Sequence, residues 1–338
     1  LVVFFDRASP RTTLASMSEI HIITGGAGFL GSTLCRALLD RGHEVICIDS
    51  LVTGGIDRIE DLLPRQHFKF VRGDAATALR PLNVGRVHAV WALAALASPV
   101  HYFKRPLEAA WAGADAHRAT LDFAADHAAR FFYSSTSELY SNPDVVPTPE
   151  TYIGRINPLS LRAPYDVSKA YGETLCAIYA RTVGLDVRIA RLFNAFGPNM
   201  PVSDGRVICS YLGAAIKGEP LPVHGDGKQT RSFCYVEDTI RGMLAFMGAP
   251  REALIPAGEP PIINLGNPRE VTMLGVARLC WRAVRDDEPQ IAQLPENPDD
   301  PRRRCPDITR AREILKWEPK IELEDGLRRT AVWLKQGR

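Results

Sequence analysis

Tyr165-Asp166-Val167-Ser168-Lys169 sets a phenol and an ammonium four residues apart. On a helix those two positions share one face. An ammonium beside a phenol favours its ionised form, so a tyrosinate could serve as a base near neutral pH. Surface Tyr/Lys pairs are common, and the pattern gains weight only from its surroundings. Upstream, Tyr133-Ser134-Ser135-Thr136-Ser137-Glu138-Leu139-Tyr140 leaves an apolar run. Hydroxyls at the carboxyl end of a strand point into a ligand crevice, and Glu138 among them could move a proton. The same run also reads as an ordinary turn or helix cap.

Groups of this kind need a scaffold that brings several strand ends together. Ile22-Ile23-Thr24-Gly25-Gly26-Ala27-Gly28-Phe29-Leu30-Gly31 reads as strand, tight turn and helix, with an amphipathic segment from Ser32 to Arg41. Gly25 permits the sharp turn, Gly28 lets backbone approach a pyrophosphate, and Gly31 lets the helix pack closely on the sheet. The helix N-terminus then offers free N–H groups and a positive dipole end to phosphates. The spacing is G-x-x-G-x-x-G, so context must carry the reading. His43-Glu44-Val45-Ile46-Cys47-Ile48-Asp49 supplies it as a second strand ending in a carboxylate. A carboxylate there accepts the adenosine ribose hydroxyls and repels a 2′-phosphate, which favours NAD over NADP.

Apolar runs continue the alternation. Strands are expected at Ile20–Thr24, Val45–Asp49, Phe68–Arg72, Ala89–Leu93, Phe131–Ser134 and Val187–Leu192, with helices including Pro106–His127 and Tyr165–Val183. Near-continuous apolar strands alternating with helices predict an α/β fold, a Rossmann-type doubly wound parallel sheet. Past Gly197-Pro198 turn-rich stretches appear, at Asn199–Gly205, Gly218–Gly227 and Gly248–Pro261, with Pro and charge dense over Pro295–Pro306. The expected organisation is a NAD-binding domain over 19–195, with returning segments near 234–267, and a smaller C-terminal substrate-binding domain occupying most of 196–338. Ala249–Pro261 reads as a variable surface loop and Leu323–Leu334 as a closing amphipathic helix. Residues 1–18 read as a leader or disordered tail, with Met17 a plausible natural start. Leu1-Val2-Val3-Phe4-Phe5 is too short for a signal core, and basic residues follow it instead of preceding it.

The 338 residues are 46% hydrophobic and 24% charged, with a net charge of +2, which allows ample core and argues against nucleic-acid binding. Seven cysteines stand singly at 35, 47, 176, 209, 234, 280 and 305, and no Cys-x-x-Cys occurs. Reduced thiols in a cytoplasmic protein without a metal site are expected, with Cys35 and Cys47 as core filler. No run approaches a membrane span.

Several stretches together resemble the extended short-chain dehydrogenase/reductase family that acts on nucleotide sugars, most closely its UDP-glucuronate decarboxylases. They are Thr24–Gly31, Ser98–Tyr102, Ser135–Tyr140, Arg191–Pro198, Asp204–Val207, Gly225–Tyr235, Asn264–Pro268, Asp299–Ile308 and Trp317-Glu318-Pro319. The resemblance implies NAD as cofactor, UDP-glucuronate as substrate and UDP-xylose as product; the departures given below add release of some UDP-4-keto-pentose. Tyr165 would take the C4 hydroxyl proton with Lys169 beside it, and Thr136 would hydrogen-bond the C4 oxygen. Ser137 and Glu138 would position the carboxylate and handle the C5 proton, and Arg304 would lie near the uronate carboxyl. NAD would lie along Gly25, Gly28, Phe29, Leu30, Gly31, Asp49, Ser50, Thr53, Gly54, Asp74, Ala75, Leu93, Tyr165 and Lys169. Tyr102, Asn194, Arg206, Gln229, Arg231 and Arg304 would contact the sugar nucleotide. A homodimer is implied, through a four-helix bundle of Pro106–His127 and Tyr165–Val183, with Leu175, Ile178 and Tyr179 on an apolar stripe.

The chain departs from the family pattern at some positions. Ala92 stands for a usual His, Trp111 and Gly113 for a Lys and an Asn, Ser141 for a Gly, and Val167-Ser168 for Glu-Gly. All but the last pair are expected at the cofactor pocket, where lost polar anchors would loosen NAD. A 4,6-dehydratase is disfavoured by Ser137-Glu138 in place of Asp-Glu, and a 4-epimerase by Glu138 with Arg304. A catalytically silent NAD-binding regulator is disfavoured by the intact Thr136, Tyr165 and Lys169.

Overall fold

The computed structural model describes residues 18–254, 259–296 and 301–336. The expected leader therefore lies outside the described residues apart from Ser18, as do parts of the Ala249–Pro261 loop and of the Pro295–Pro306 run. Six strands follow in sequence: β1 (Ile20–Thr24), β2 (Glu44–Asp49), β3 (Phe68–Arg72), β4 (Val87–Ala92), β5 (Arg130–Thr136) and β6 (Val187–Leu192). A seventh, Ile262–Leu265, returns from far downstream to pair with β6. The order across the sheet is Ile262–Leu265, β6, β5, β4, β1, β2, β3, and every pairing is parallel. The chain winds outward in both directions from the β1/β4 junction, and ligands bind at the carboxyl ends of strands beside such a reversal.

Both faces of the sheet are covered, which explains the unbroken apolar runs. Ile23, Trp91, Phe132 and Ala190 point into one core cluster, and their neighbours Ile22, Val90, Phe131 and Ile189 point into the other. Helix α1 (Phe29–Leu39) and the helix Val236–Gly248 pack on the first face. The long helix Ala163–Thr182 and the segment beginning at Pro106 cover the second.

That segment is not one helix from Pro106 to His127. It is α-helical over Pro106–Trp111, makes a π turn over Ala112–Ala116, and is α-helical again over His117–Asp126. Gly113 lies in the π turn, against the long helix: a Cβ there would stand 2.4 Å from Ser168 Cβ. The widened turn absorbs one extra residue at that close approach, and π turns of this kind concentrate at functional sites.

The smaller part beyond β6 carries a three-stranded sheet with Thr230–Ser232 at its centre, Glu270–Thr272 antiparallel to it and Arg303–Arg304 parallel. A parallel pair, Leu221–His224 with Ile291–Leu294, lies nearby. The chain ends in the helix Leu323–Lys335. A strap ties this part to the large sheet: Thr148 N–H donates to Cys305 O at 2.9 Å, and Asp307 N–H to Thr148 O at 3.0 Å. Asn264, on the seventh strand and fully buried, donates to Thr148 O and Asp307 O and accepts from the Tyr140 hydroxyl. The strap fixes the position of Arg304.

Candidate active site

At the end of β1 the chain turns through Gly25 at φ +76°, and Gly25 N–H donates to Ile48 O at 2.8 Å. A Cβ at Gly25 would come within 2.7 Å of Ala94 N. Gly31 is required for a different contact from the one expected. Its Cβ would fall 2.1 Å from Gly25 O and 2.7 Å from Gly26 Cα, so at Gly31 the helix is pressed on the turn itself. Gly28 caps α1 without a side-chain bond, and the first turn holds no acid. The first-turn N–H groups have no intrahelical acceptor, and the dipole end is positive. Such a cradle fits a diphosphate.

Asp49 ends β2 and is buried; its Oδ2 accepts from Ala27 N at 3.0 Å and its Oδ1 from Leu51 N at 2.8 Å. Burial raises its pKa, against those two N–H groups and Arg58. Gly54 does not line the cavity as expected. It lies against the Asp49 carboxylate, 2.6 Å from where a Cβ would stand, so it shapes the loop that holds Asp49.

A cavity of about 920 Å³ runs from the glycine turn to the smaller part. The other expected cofactor positions line it: Gly25, Gly28, Phe29, Leu30, Gly31, Asp49, Ser50, Thr53, Asp74, Ala75, Leu93, Tyr165 and Lys169. So do Tyr102, Thr136, Ser137, Glu138, Asn194, Arg206, Gln229, Arg231 and Arg304. Its size suits a large ligand.

Tyr165 rises from the first turn of the long helix and stacks on Tyr102, with ring centroids 5.6 Å apart and planes 4° from parallel. The expectation of an acidified phenol needs correction. Burial pushes the Tyr165 pKa up to about 12, against the Thr136 hydroxyl hydrogen bond, and nearby Glu138 adds to the rise. Lys169 Nζ donates to Ser134 O at 2.6 Å and lies 6.0 Å from the Tyr165 ring centre. Burial lowers the Lys169 pKa to about 8, so this ammonium gives up a proton readily. The pair shares a helix face as expected, but in this state Lys169 serves the β5 carbonyl.

Glu138 follows β5 in a short 3₁₀ turn, Ser137–Tyr140, and its own N–H donates to Thr136 Oγ1 at 3.2 Å. Arg304 grips it with both terminal nitrogens, Nη1 to Oε1 at 2.6 Å and Nη2 to Oε2 at 2.8 Å. Arg162 donates to the same carboxylate. Burial raises the Glu138 pKa, but Arg304, Arg162 and Arg231 outweigh it and hold the group below the usual range. Glu138 is thus a fixed anion here and not a free proton carrier, and Arg304 faces Glu138 instead of open space. Arg206 pairs with Asp204 at 3.0 Å. Arg231 donates to Thr230 O, Asn194 to Ser232 O and Gln229 to His224 O, so each is held in place by backbone.

Two residues at this centre were missed in the sequence. Arg162 precedes Tyr165 by three positions, and Asp166 lies one helical turn from Arg162, at 3.8 Å. Burial, then Glu138, raises the Asp166 pKa to about 7, against Arg162 and Arg304. The Arg-x-x-x-Asp spacing was a visible helix-face signal.

Of the departures, Trp111 lines the cavity, whereas Ala92, Gly113 and Ser141 do not. Ala92 and Gly113 border a separate void of about 10 Å³ with His117, Tyr165 and Lys169, enough for about one water. Ser141 sits at φ +56° and ψ −124°, a conformation glycine adopts without strain.

Against known proteins, the profile of the NAD-dependent epimerase/dehydratase family matches residues 21–266. A UDP-glucuronic acid decarboxylase of Arabidopsis thaliana is 42% identical over 308 residues, 91% of this chain and 68% of that protein. A UDP-glucose 4-epimerase from Thermotoga maritima, solved with UDP-glucose, superposes with a TM-score of 0.83 at 28% identity, covering 94% of this chain and 99% of that one. A mutant UDP-glucuronic acid 4-epimerase from Bacillus cereus, solved with NAD and UDP-4-deoxy-4-fluoro-glucuronic acid, gives 0.81 at 25% identity, covering 94% and 100%.

Proposed function

We infer from this chain's place in the NAD-dependent epimerase/dehydratase family, to which it belongs, that it decarboxylates UDP-glucuronate to UDP-xylose. One observation carries the reading: the Glu138–Arg304 pair stands beside Tyr165 and Thr136 in the cavity of a chain 42% identical to a decarboxylase. An arginine fork at that place matches a carboxylate bidentately.

The glycine cradle would receive the diphosphate of NAD, and Asp49 would meet the adenosine ribose. When bound, the cofactor would supply the acceptor, and later the donor, of the C4 hydride. The tyrosinate form of Tyr165 would accept the C4 hydroxyl proton as that hydride leaves, with Thr136 bonded to the same oxygen. The 4-keto uronate is a β-keto acid, so the bond from C5 to the carboxyl carbon breaks without further help. Its electron pair moves into C5 and on to the C4 oxygen as an enolate, and CO2 departs. Tyr165 and Thr136 stabilise that oxyanion. The substrate carboxylate would compete with Glu138 for Arg304, and C5 would take a proton from solvent water that the released Glu138 carboxylate orients. Arg206, Arg231, Asn194, Gln229 and Tyr102 hold the sugar nucleotide. Reduction at C4 then gives UDP-xylose.

Trp111 lines the cavity without supplying a positive charge, so this chain would hold the reduced cofactor less firmly, and UDP-4-keto-pentose would be released alongside UDP-xylose. Incubation with UDP-glucuronate and excess NAD, followed by mass spectrometry, tests both steps. A product lighter by one CO2 supports decarboxylation, and an isobaric product replaces it with 4-epimerisation. Flat NADH absorbance during CO2 evolution removes the second claim alone.

The chain pairs as a homodimer through its helices. Val167, Tyr171 and Ile178 are exposed along one face of the long helix, and Leu107 and Trp111 are exposed on the adjoining one. Of the stripe expected there, Leu175 and Tyr179 turn inward to the core, and Ile178 alone faces out.

A further inference from the structure

Two arms hold the Glu138 carboxylate, and they come from different parts of the chain. Arg304 lies on the short strand Arg303–Arg304 of the smaller part, and its Nη1 and Nη2 reach Oε1 and Oε2 at 2.6 and 2.8 Å. Arg162 stands at the N-cap of the long helix, and its Nη2 donates to Oε2. Both arginines line the cavity. They are anchored differently. The Arg162 carbonyl accepts from Tyr165 N at 3.0 Å and from Asp166 N at 3.1 Å, so its backbone belongs to the helical turn that carries Tyr165. Asp166 Oδ2 lies 3.8 Å from Arg162 Nε and braces the guanidinium from the side away from Glu138. Arg304 is placed by the strap and the small sheet, and its Nε is buried without a hydrogen-bond partner. A buried donor left unbonded is costly, so this guanidinium favours an incoming acceptor.

We propose that Arg162 is the positioning residue that keeps Glu138 in place while Arg304 turns to the sugar carboxylate. The proposal rests on the decarboxylation inferred above. A sugar carboxylate arriving at Arg304 brings a second anion to a fork already engaged by Glu138. Breaking a buried ion pair is expensive when the remaining charge is left uncompensated. Arg162 removes that obstacle. The Arg304 bond at Oε1 clears, and Oε2 keeps its donor. The remaining hold starts from the turn that carries Tyr165, so Glu138 and Tyr165 keep their spacing through the exchange.

The reaction defines what Arg162 controls. When the bond from C5 to the carboxyl carbon breaks, its electron pair passes to C5 and the C4 oxygen, and CO2 leaves. The enolate then takes one solvent proton, and the same electron pair becomes the new C–H bond at C5. The face that receives the proton is set by where Glu138 holds the water. Arg162 therefore governs the rate and the stereochemistry of that step, and not the binding of the sugar. A guanidinium suits the task because its Nε faces Asp166 while Nη2 holds Glu138. An ammonium is a point charge and cannot span both in a fixed geometry.

The test uses the full chain with NAD and UDP-glucuronate in D2O, comparing the parent with R162Q, R162K and R155Q. Arg155 is the control, exposed on the preceding loop and paired with Asp144 outside the cavity. CO2 release gives kcat and KM, and NMR of the UDP-xylose formed locates the deuterium at C5. We expect R162Q to lose about 10²-fold in kcat while KM stays within about threefold of the parent. R162Q should also place deuterium on both faces of C5, where the parent and R155Q place it on one. R162K returns the charge without the fork and should recover roughly tenfold of the lost kcat. A raised KM with kcat kept makes Arg162 a ligand of the sugar carboxylate and overturns the proposal. Parental kcat with single-face labelling in R162Q overturns it too. If R162Q fails to fold, R162K decides, and parental kcat with parental labelling there overturns the proposal. Absence of CO2 release from the parent removes the decarboxylation reading and this inference with it, whereas a decarboxylating parent beside an indifferent R162Q removes the inference alone.

Discussion

In the proposed reaction the tyrosinate of Tyr165 takes a proton from a sugar hydroxyl, although burial has pushed the pKa of this phenol up to about 12. A protonated phenol is also the form that donates to an oxyanion, so the same residue suits the later half of the reaction. Tyr165→Phe should lower kcat by about 10²–10⁴-fold while NAD affinity, read by fluorescence titration, changes little. Asp166 gives a separate signature. Its pKa rises from 3.8 to about 7 in the folded chain, so the folded state holds this proton more tightly than the unfolded one. Its contribution to stability is complete below pH 3.8 and is lost as pH rises through about 7. Urea unfolding of Asp166→Asn should therefore lack a decline on the order of 4 kcal/mol that the parent shows over that interval. Tyr165 and Lys169 were legible in the sequence because helical spacing is local. The arginine cage was not, because Glu138 meets Arg304 across 166 residues and spacing says nothing of that encounter.

The elements divide along the same line. Buried parallel strands announce themselves as apolar runs, and β1, β2, β3 and β6 fall within a residue of their expected bounds. The π turn at Ala112–Ala116 had no such signal, since its small residues continue a helical pattern; contact with the long helix decides it. Gly113→Ala should cost about 1–3 kcal/mol by driving a Cβ into Ser168. Adding Ser168→Gly should restore more than half of the lost Tm. Ser141→Gly should act in the opposite direction, raising stability by about 1 kcal/mol in thermal denaturation, because the φ of +56° there strains a side chain.

Over the whole molecule, the sheet order follows from parallel winding, but the partner of Ile262–Leu265 could not be read from three apolar residues and an asparagine. The exposed stripe of Val167, Tyr171 and Ile178 is where a second copy would rest. Under the proposed pairing, light scattering should report a dimer for the parent and a monomer for Tyr171→Glu with Ile178→Glu, with no shift in the far-UV spectrum. The spacing of the charged centre along the chain also sets an order in time. A ribosome adding about 5–20 residues per second delivers Arg304 on the order of ten seconds or more after Glu138. Arg162 follows Glu138 by only 24 residues. The nascent carboxylate therefore has a nearby counter-ion from the start, and Arg304 arrives last, as the clasp that fastens the finished smaller part over a cofactor cradle already built.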